Sequence, residues 1–148
     1  MKLYFAPGAC SFVPHVSLAL AGVPFELQML KLHKGEQSSP EFLAINPRAQ
    51  LPVLVDGDLA VWDTLSIAEY AAEKFPNKQL WPSQVADRAR ARSICAEMHS
   101  GFSGIRSACP MNIDAYLPEI GALALRDKEA VRQDLKRIDS LFSSLLQA

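Results

Sequence analysis

Cys10 stands in Tyr4-Phe5-Ala6-Pro7-Gly8-Ala9-Cys10-Ser11, where an apolar strand pattern gives way to an amphipathic helix. Helix N-termini favour thiolate over thiol through their unpaired N–H groups and positive dipole end, so the position suits a reactive sulfur. A small buried hydrophobe near a turn is the alternative. In Gln50-Leu51-Pro52-Val53 a proline opens a strand pattern. It cannot donate a backbone N–H there, and a cis Leu51–Pro52 bond is one way of using it, although trans is the commoner state. Asp63-Thr64 opens a helix pattern. Either residue is a good cap, and the same pair could grip an α-amino acid end, carboxylate on the helix N–H groups and ammonium on the aspartate. Farther on, Arg88, Arg92, Cys95, His99, Ser103 and Arg106 recur as one polar stripe beside an apolar one. A solvated face accounts for Arg88 and Arg106.

The elements that must position these groups follow from periodicity. Lys2–Phe5 alternates as a strand, and a helix carrying Val13, Val16 and Leu20 follows, with Pro14 in its first turn and Gly22 at its end. Phe25–Met29 alternates as a second strand, Ser39-Pro40-Glu41 opens a short helix, and Asn46-Pro47 closes it. Pro52–Val55 and Leu59–Trp62 flank Asp56-Gly57, a strong hairpin signal. The helix after Asp63-Thr64 buries Leu65, Ala68, Ala71 or Ala72, and Phe75, and Pro76 stops it. The order is βαβαββα over 1–76, with a proline-flanked linker at 77–83 and an all-helical remainder at 84–148. One helix is expected over 84–106, with Ala91, Ile94, Met98, Phe102 and Ile105 on its apolar stripe. A loop is expected over 111–126, and then Asp127 caps a last helix carrying Val131, Leu135, Ile138, Phe142 and Leu145.

Composition narrows the function classes. The chain has 148 residues, is 49% hydrophobic, and carries 15 basic against 16 acidic side chains, so no basic footprint for nucleic acid or a membrane surface emerges. No apolar run reaches the ~18 residues of a membrane span, and no export signal is visible after Met1-Lys2. Cys10, Cys95 and Cys109 are odd in number and scattered, which argues against a disulfide framework or a metal site and for a reducing cytosol.

Taken in order, these motifs resemble the glutathione S-transferase family. Tyr4-x-x-Pro7-Gly8-Ala9-Cys10-Ser11-x-x-Pro14-His15 is similar to the N-terminus of its bacterial beta-class enzymes. Phe42-Leu43-Ala44-Ile45-Asn46-Pro47-Arg48-x-Gln50-Leu51-Pro52-Val53-Leu54 resembles the family's central signature, and Glu97-Met98-His99-Ser100-Gly101-Phe102 resembles the segment where beta-class enzymes carry an active-site histidine. The resemblance implies an α/β thioredoxin-like glutathione-binding domain followed by a partial all-α domain. Cys10 would contact the glutathione sulfur, hydrogen-bonding its thiolate or forming a mixed disulfide, with Ser11 as the alternative donor. Leu51, ahead of a cis Pro52, would pair its backbone with the tripeptide. Thr64 would hold the γ-glutamyl carboxylate, Asp63 its ammonium and Lys34 the glycine carboxylate. His99 would face the sulfur, with Arg92 near the same cleft.

Glutathione is then a co-substrate whose thiolate attacks a small electrophile or a disulfide, in a cytoplasmic detoxifying homodimer. Single-thiol exchange at Cys10 is a further implied activity, because Cys10-Ser11-Phe12-Val13 holds no second thiol. The resemblance also implies further helices after the last one here, so that Leu135, Ile138, Leu141, Phe142, Leu145 and Leu146 expose part of an apolar face. A non-catalytic association module and a truncated inactive fragment are the other readings of the same pattern.

Overall fold

The computed structural model describes residues 1–8, 10–111 and 114–146. Its first elements are β1 (Lys2–Phe5), α1 (Phe12–Leu20), β2 (Glu26–Met29), α2 (Pro40–Ile45), β3 (Val53–Asp56), β4 (Leu59–Trp62) and α3 (Thr64–Lys74), with short 3₁₀ turns at Leu32–Lys34, Glu36–Ser38 and Pro76–Lys78. The local chemistry accounts for these boundaries. Pro14 sits in the first turn of α1, where the backbone N–H it lacks has no helical partner in any case. Ser39 accepts the Phe42 N–H at 3.2 Å, and Pro40 follows it as the first residue of α2. Gly57 takes φ 61° in the tight turn between β3 and β4.

The strands lie in the order β2-β1-β3-β4. β1 runs parallel to β2 and antiparallel to β3, which is antiparallel to β4. This is the expected thioredoxin-like arrangement. Pleating sends alternate residues to opposite faces. Leu3 and Leu54 therefore join Leu18 of α1 and Ile67 and Ala71 of α3 in one core, while Val53 meets Leu30 and Phe42 in a second. Each fully buried leucine or isoleucine here contributes roughly 1.5–3 kcal/mol.

The hairpin is tied to α3 by charge. Tyr70 Oη donates to Asp56 Oδ2 at 2.6 Å, and Lys74 Nζ pairs with the same carboxylate. Lys74, and after it Tyr70, hold the Asp56 carboxyl below its ordinary range, and Asp56 in turn raises both partners. A carboxyl depressed in the folded state contributes stability that is present above its unfolded pKa and lost as pH falls through the folded value. Asp56→Asn should therefore flatten the loss of stability that the wild type shows below about pH 4. Urea unfolding at neutral pH and at pH 3 measures it, and an unchanged acid slope contradicts the assignment.

The chain divides into two compact units, Met1–Ala96 and Glu97–Ala148, and the division falls inside α4 (Val85–Ser100). The segment 77–83, expected as a linker, is held to the first unit. Leu80 packs against the α1–α3 core, and Arg88 Nη1 donates to the carbonyls of Pro82 at 3.0 Å and Ser83 at 2.8 Å. Arg92 Nε and Nη2 fork onto Glu69 at 2.7 and 2.6 Å, holding that carboxyl below its ordinary range.

The second unit holds the end of α4, then α5 (Ser103–Ala108), α6 (Pro118–Asp127) and α7 (Glu129–Leu146). Two expectations fail here. The helix over 84–106 is broken, because Phe102 adopts φ 61° and is buried, with the Arg137 guanidinium 5.0 Å from its ring centroid. Arg106, expected as a solvated arginine, caps the break by donating to the carbonyls of Gly101 at 3.0 Å and Met98. The loop over 111–126 contains α6, so Asp127 ends one helix instead of capping the next. Pro118-Glu119 is the same first-turn signature that marks α2, masked in the sequence by Gly121 and the absence of a side-chain cap.

α5 is seated directly on α7. Asp134 of α7 is buried and accepts the Ile105 N–H at 3.1 Å, supplying the cap that Phe102 cannot. On α7 Leu135, Phe142, Leu145 and Leu146 are exposed, as the resemblance implies, whereas Ile138 and Leu141 are half-buried.

Candidate functional site

Strand direction gathers the site. β1 and β2 are parallel, and β4 runs with β1 because each is antiparallel to β3. The C-terminal ends of these three strands therefore lie along one sheet edge with the N-terminal end of β3. The register bears this out, since Met29 pairs with Phe5, Tyr4 with Val53, and Val53 with Trp62. Pro7-Gly8 and Cys10, Lys31 to Lys34, Leu51-Pro52 and Asp63-Thr64 all leave or enter the sheet at that edge. Crevices outside strand ends of this kind are where open α/β sheets bind ligands.

Cys10 is exposed, and its thiol donates to the Leu51 carbonyl at 3.6 Å. The Leu51–Pro52 peptide is cis, and Pro52 is fully buried. Buried Asn46 holds the approach to it, donating from Nδ2 to the Gln50 carbonyl at 2.9 Å and accepting the Arg48 N–H at 3.2 Å. In sequence, Asn46-Pro47 carries only the signal of a helix stop. A buried asparagine has four hydrogen-bonding sites to satisfy, which is the signal that could have marked it as a loop organiser.

Ser11 occupies a different place from Cys10. Its hydroxyl is fully buried, accepts the Ala6 N–H at 3.1 Å and donates to the Ala6 carbonyl at 3.0 Å, closing the turn between β1 and α1. It makes no side-chain cap for α1, whose first turn is instead met by the Cys10 carbonyl accepting the Val13 N–H at 3.2 Å. As a sulfur donor Ser11 is therefore already engaged, and its adjacency to Cys10 in sequence does not put the two side chains on one surface.

Asp63 takes φ 77° and ψ 144°, a region L-residues rarely adopt, at a cost of about 1–3 kcal/mol. Its Oδ1 accepts the Leu65 N–H at 2.9 Å and so caps α3. Thr64, the first residue of α3, is 7% exposed, and its Oγ1 is buried without a hydrogen-bond partner among the described residues. The early N–H groups of α3 have no helical acceptors, so a carboxylate is favoured there.

Lys34 ends the 3₁₀ turn after β2 and is exposed. The cleft beside Ala6 and Pro7, about 440 Å³ in volume, is lined instead by Lys31 and His33. The parallel pairing of β1 with β2 is what could have singled them out. Arg92, expected near the cleft, is engaged by Glu69 and lies 5.7 Å from the Trp81 ring centroid, so it joins α4 to α3. His99 is exposed on the last turn of α4 in the second unit.

The family model for "Glutathione S-transferase, N-terminal domain" matches residues 1–73. Glutathione S-transferase 1 of Dianthus caryophyllus is 42% identical over 90 residues, which cover 60% of this chain and 41% of that protein. Glutathione S-transferase GstA of Escherichia coli O157:H7 is 29% identical over 143 residues, covering 92% of this chain and 70% of the relative. The chain thus spans about two fifths of the plant relative's length. Among solved structures, a sphingomonad glutathione S-transferase complexed with glutathione superposes with a TM-score of 0.71 at 28% identity, covering 97% of this chain and 70% of that one. The domain match, the relatives and the shared fold agree that residues 1–73 are an N-terminal domain of the glutathione S-transferase family.

Proposed function

We propose that residues 1–76 form the glutathione site of a transferase that directs the tripeptide's thiolate at small electrophiles or disulfides. The observation that carries the reading is the meeting of the Cys10 thiol with the Leu51 carbonyl, 3.6 Å apart, at the sheet edge where α3 begins. In this reading the cysteinyl unit of glutathione pairs with the Leu51 backbone as an added strand, which sets its sulfur beside Cys10. The γ-glutamyl carboxylate sits on the first N–H groups of α3, Thr64 included, with its ammonium on Asp63. The glycine carboxylate lies toward Lys31, His33 and Lys34 across the β2 end. Ser11 holds the turn. Structures of relatives with bound glutathione support this ligand.

The protein's chemical contribution is to orient the sulfur and to stabilise its charge. The thiolate forms a bond to the electrophilic carbon as the leaving group departs with its electron pair. With a disulfide it bonds one sulfur and the other leaves as thiolate. Family resemblance further assigns His99 to the sulfur and the chain to a cytoplasmic homodimer with a role in detoxification.

Cys10→Ala should lower glutathione-dependent turnover of a chloronitroaromatic electrophile by about 10²-fold, the size expected for removing one preorganised donor. His99→Ala should lower turnover while leaving glutathione affinity unchanged. Initial rates and isothermal titration measure both, and full activity in the two variants removes these roles.

A further inference from the structure

The segment that joins α2 to β3 lies at the surface, with Pro47, Arg48 and Gln50 exposed. Within it Ala49 takes φ 53°, a left-handed conformation that a residue with a Cβ keeps where its surroundings enforce it. The enforcement comes from Asn46, which is 2% exposed. Its backbone carbonyl accepts the Ala49 N–H at 3.0 Å, its Oδ1 accepts the Arg48 N–H at 3.2 Å, and its Nδ2 donates to the Gln50 carbonyl at 2.9 Å. Three consecutive residues thus hang on one buried asparagine. At the surface the Arg48 guanidinium lies 5.9 Å from the centroid of the Trp62 ring, at the end of β4 beside Asp63.

The next residue is Leu51. Two adjacent carbonyls therefore meet different surroundings, Gln50's the buried Asn46 side chain and Leu51's the exposed Cys10 thiol at 3.6 Å. Fixing the first peptide plane limits the rotation left to the second, because a residue ahead of proline is confined to extended backbone. We infer that Asn46 is a positioning residue for glutathione: its hold on the Gln50 carbonyl aims the Leu51 carbonyl at the cysteinyl N–H of the tripeptide. The inference rests on the proposed pairing of glutathione with the Leu51 backbone. Asn46 acts through Leu51 and touches no part of the ligand itself. A loop ordered before the ligand arrives adds affinity, since its ordering is not charged against binding.

The probes are S-methylglutathione and its ester isostere, in which oxygen replaces the cysteinyl N–H, each titrated calorimetrically into the full chain. The pair differs in the one donor that the Leu51 carbonyl would receive. The wild type should bind the amide about three- to tenfold more tightly than the ester, the value of one neutral hydrogen bond. Asn46→Ala should bring that ratio to about one, with the loss falling on the amide. A merely structural role would weaken both ligands alike and leave the ratio where it was. Asn46→Ser, whose short hydroxyl can replace the bond to Arg48 but not the one to Gln50, should lose the ratio as well. It decides the matter if Asn46→Ala does not fold. No saturable binding, or equal affinities for the two ligands, in the wild type overturns the Leu51 pairing on which the inference stands. A ratio that survives in folded Asn46→Ala or Asn46→Ser overturns the role of Asn46 alone.

Discussion

Gly104→Val should abolish the stable packing of α5 on α7 and with it the folded second unit. A Cβ built at Gly104 lies 2.7 Å from both the backbone carbon and the oxygen of Ala130 and 2.9 Å from its Cβ. The obstacle is backbone, so no side-chain rotation relieves it and the two helices must separate. Overpacking of this kind costs typically 1–3 kcal/mol and sometimes more. Against a unit that spans Glu97–Ala148, whose stability at ~0.1 kcal/mol per residue is about 5 kcal/mol, that is a large share of what is available. Separation also takes Asp134 away from the Ile105 N–H, removing the only side-chain cap recorded for α5 among the described residues. Circular dichroism should show loss of helix and a lower melting temperature. Gly104→Ala should show a milder form of the same loss, and Ala130→Gly added to it should not restore stability, because the nearest atoms are main chain. A melting temperature unchanged in Gly104→Val rules out this packing.

Asp63→Asn should weaken glutathione binding by about 10–100-fold while leaving the fold intact, the range for losing one hydrogen bond to a charged group. The substitution separates two duties of one side chain. Asparagine still accepts the Leu65 N–H as an N-cap and tolerates positive φ better than most residues, so α3 should start where it does now. It carries no negative charge for the γ-glutamyl ammonium. Asp63→Ala removes both duties, and it should lose about 0.5–2 kcal/mol of stability as well as affinity. Equal glutathione affinities in wild type and Asp63→Asn contradict the assignment.

Much of the fold was legible because the first unit obeys its local signals. Asp56-Gly57 is a hairpin, Ser39-Pro40 starts a helix and Asp63 caps one. The second unit was harder to read. Its helices are set by tertiary contacts, in which Phe102 breaks a continuous helical pattern by burying itself under Arg137, and Asp134 caps a helix 29 residues away in sequence. The site divides along the same line. Cys10, Leu51, Pro52, Asp63 and Thr64 stand at strand and helix ends, which sequence marks, and the sheet brings those ends to one edge. Ser11 and Arg92 bond the Ala6 backbone and Glu69, partners the sequence does not mark, because neighbourhood in sequence or on a helix face says nothing of which acceptor a side chain finds. Lys31 and His33 reach the cleft through the parallel pairing of β1 with β2, which no local signal marks.

Isothermal titration of glutathione into the 148-residue chain tests the central claim most directly. Saturable binding of one glutathione per chain, weakened in Asp63→Asn with its fold retained, is the predicted result. A folded wild type that releases no heat of binding at millimolar glutathione contradicts it.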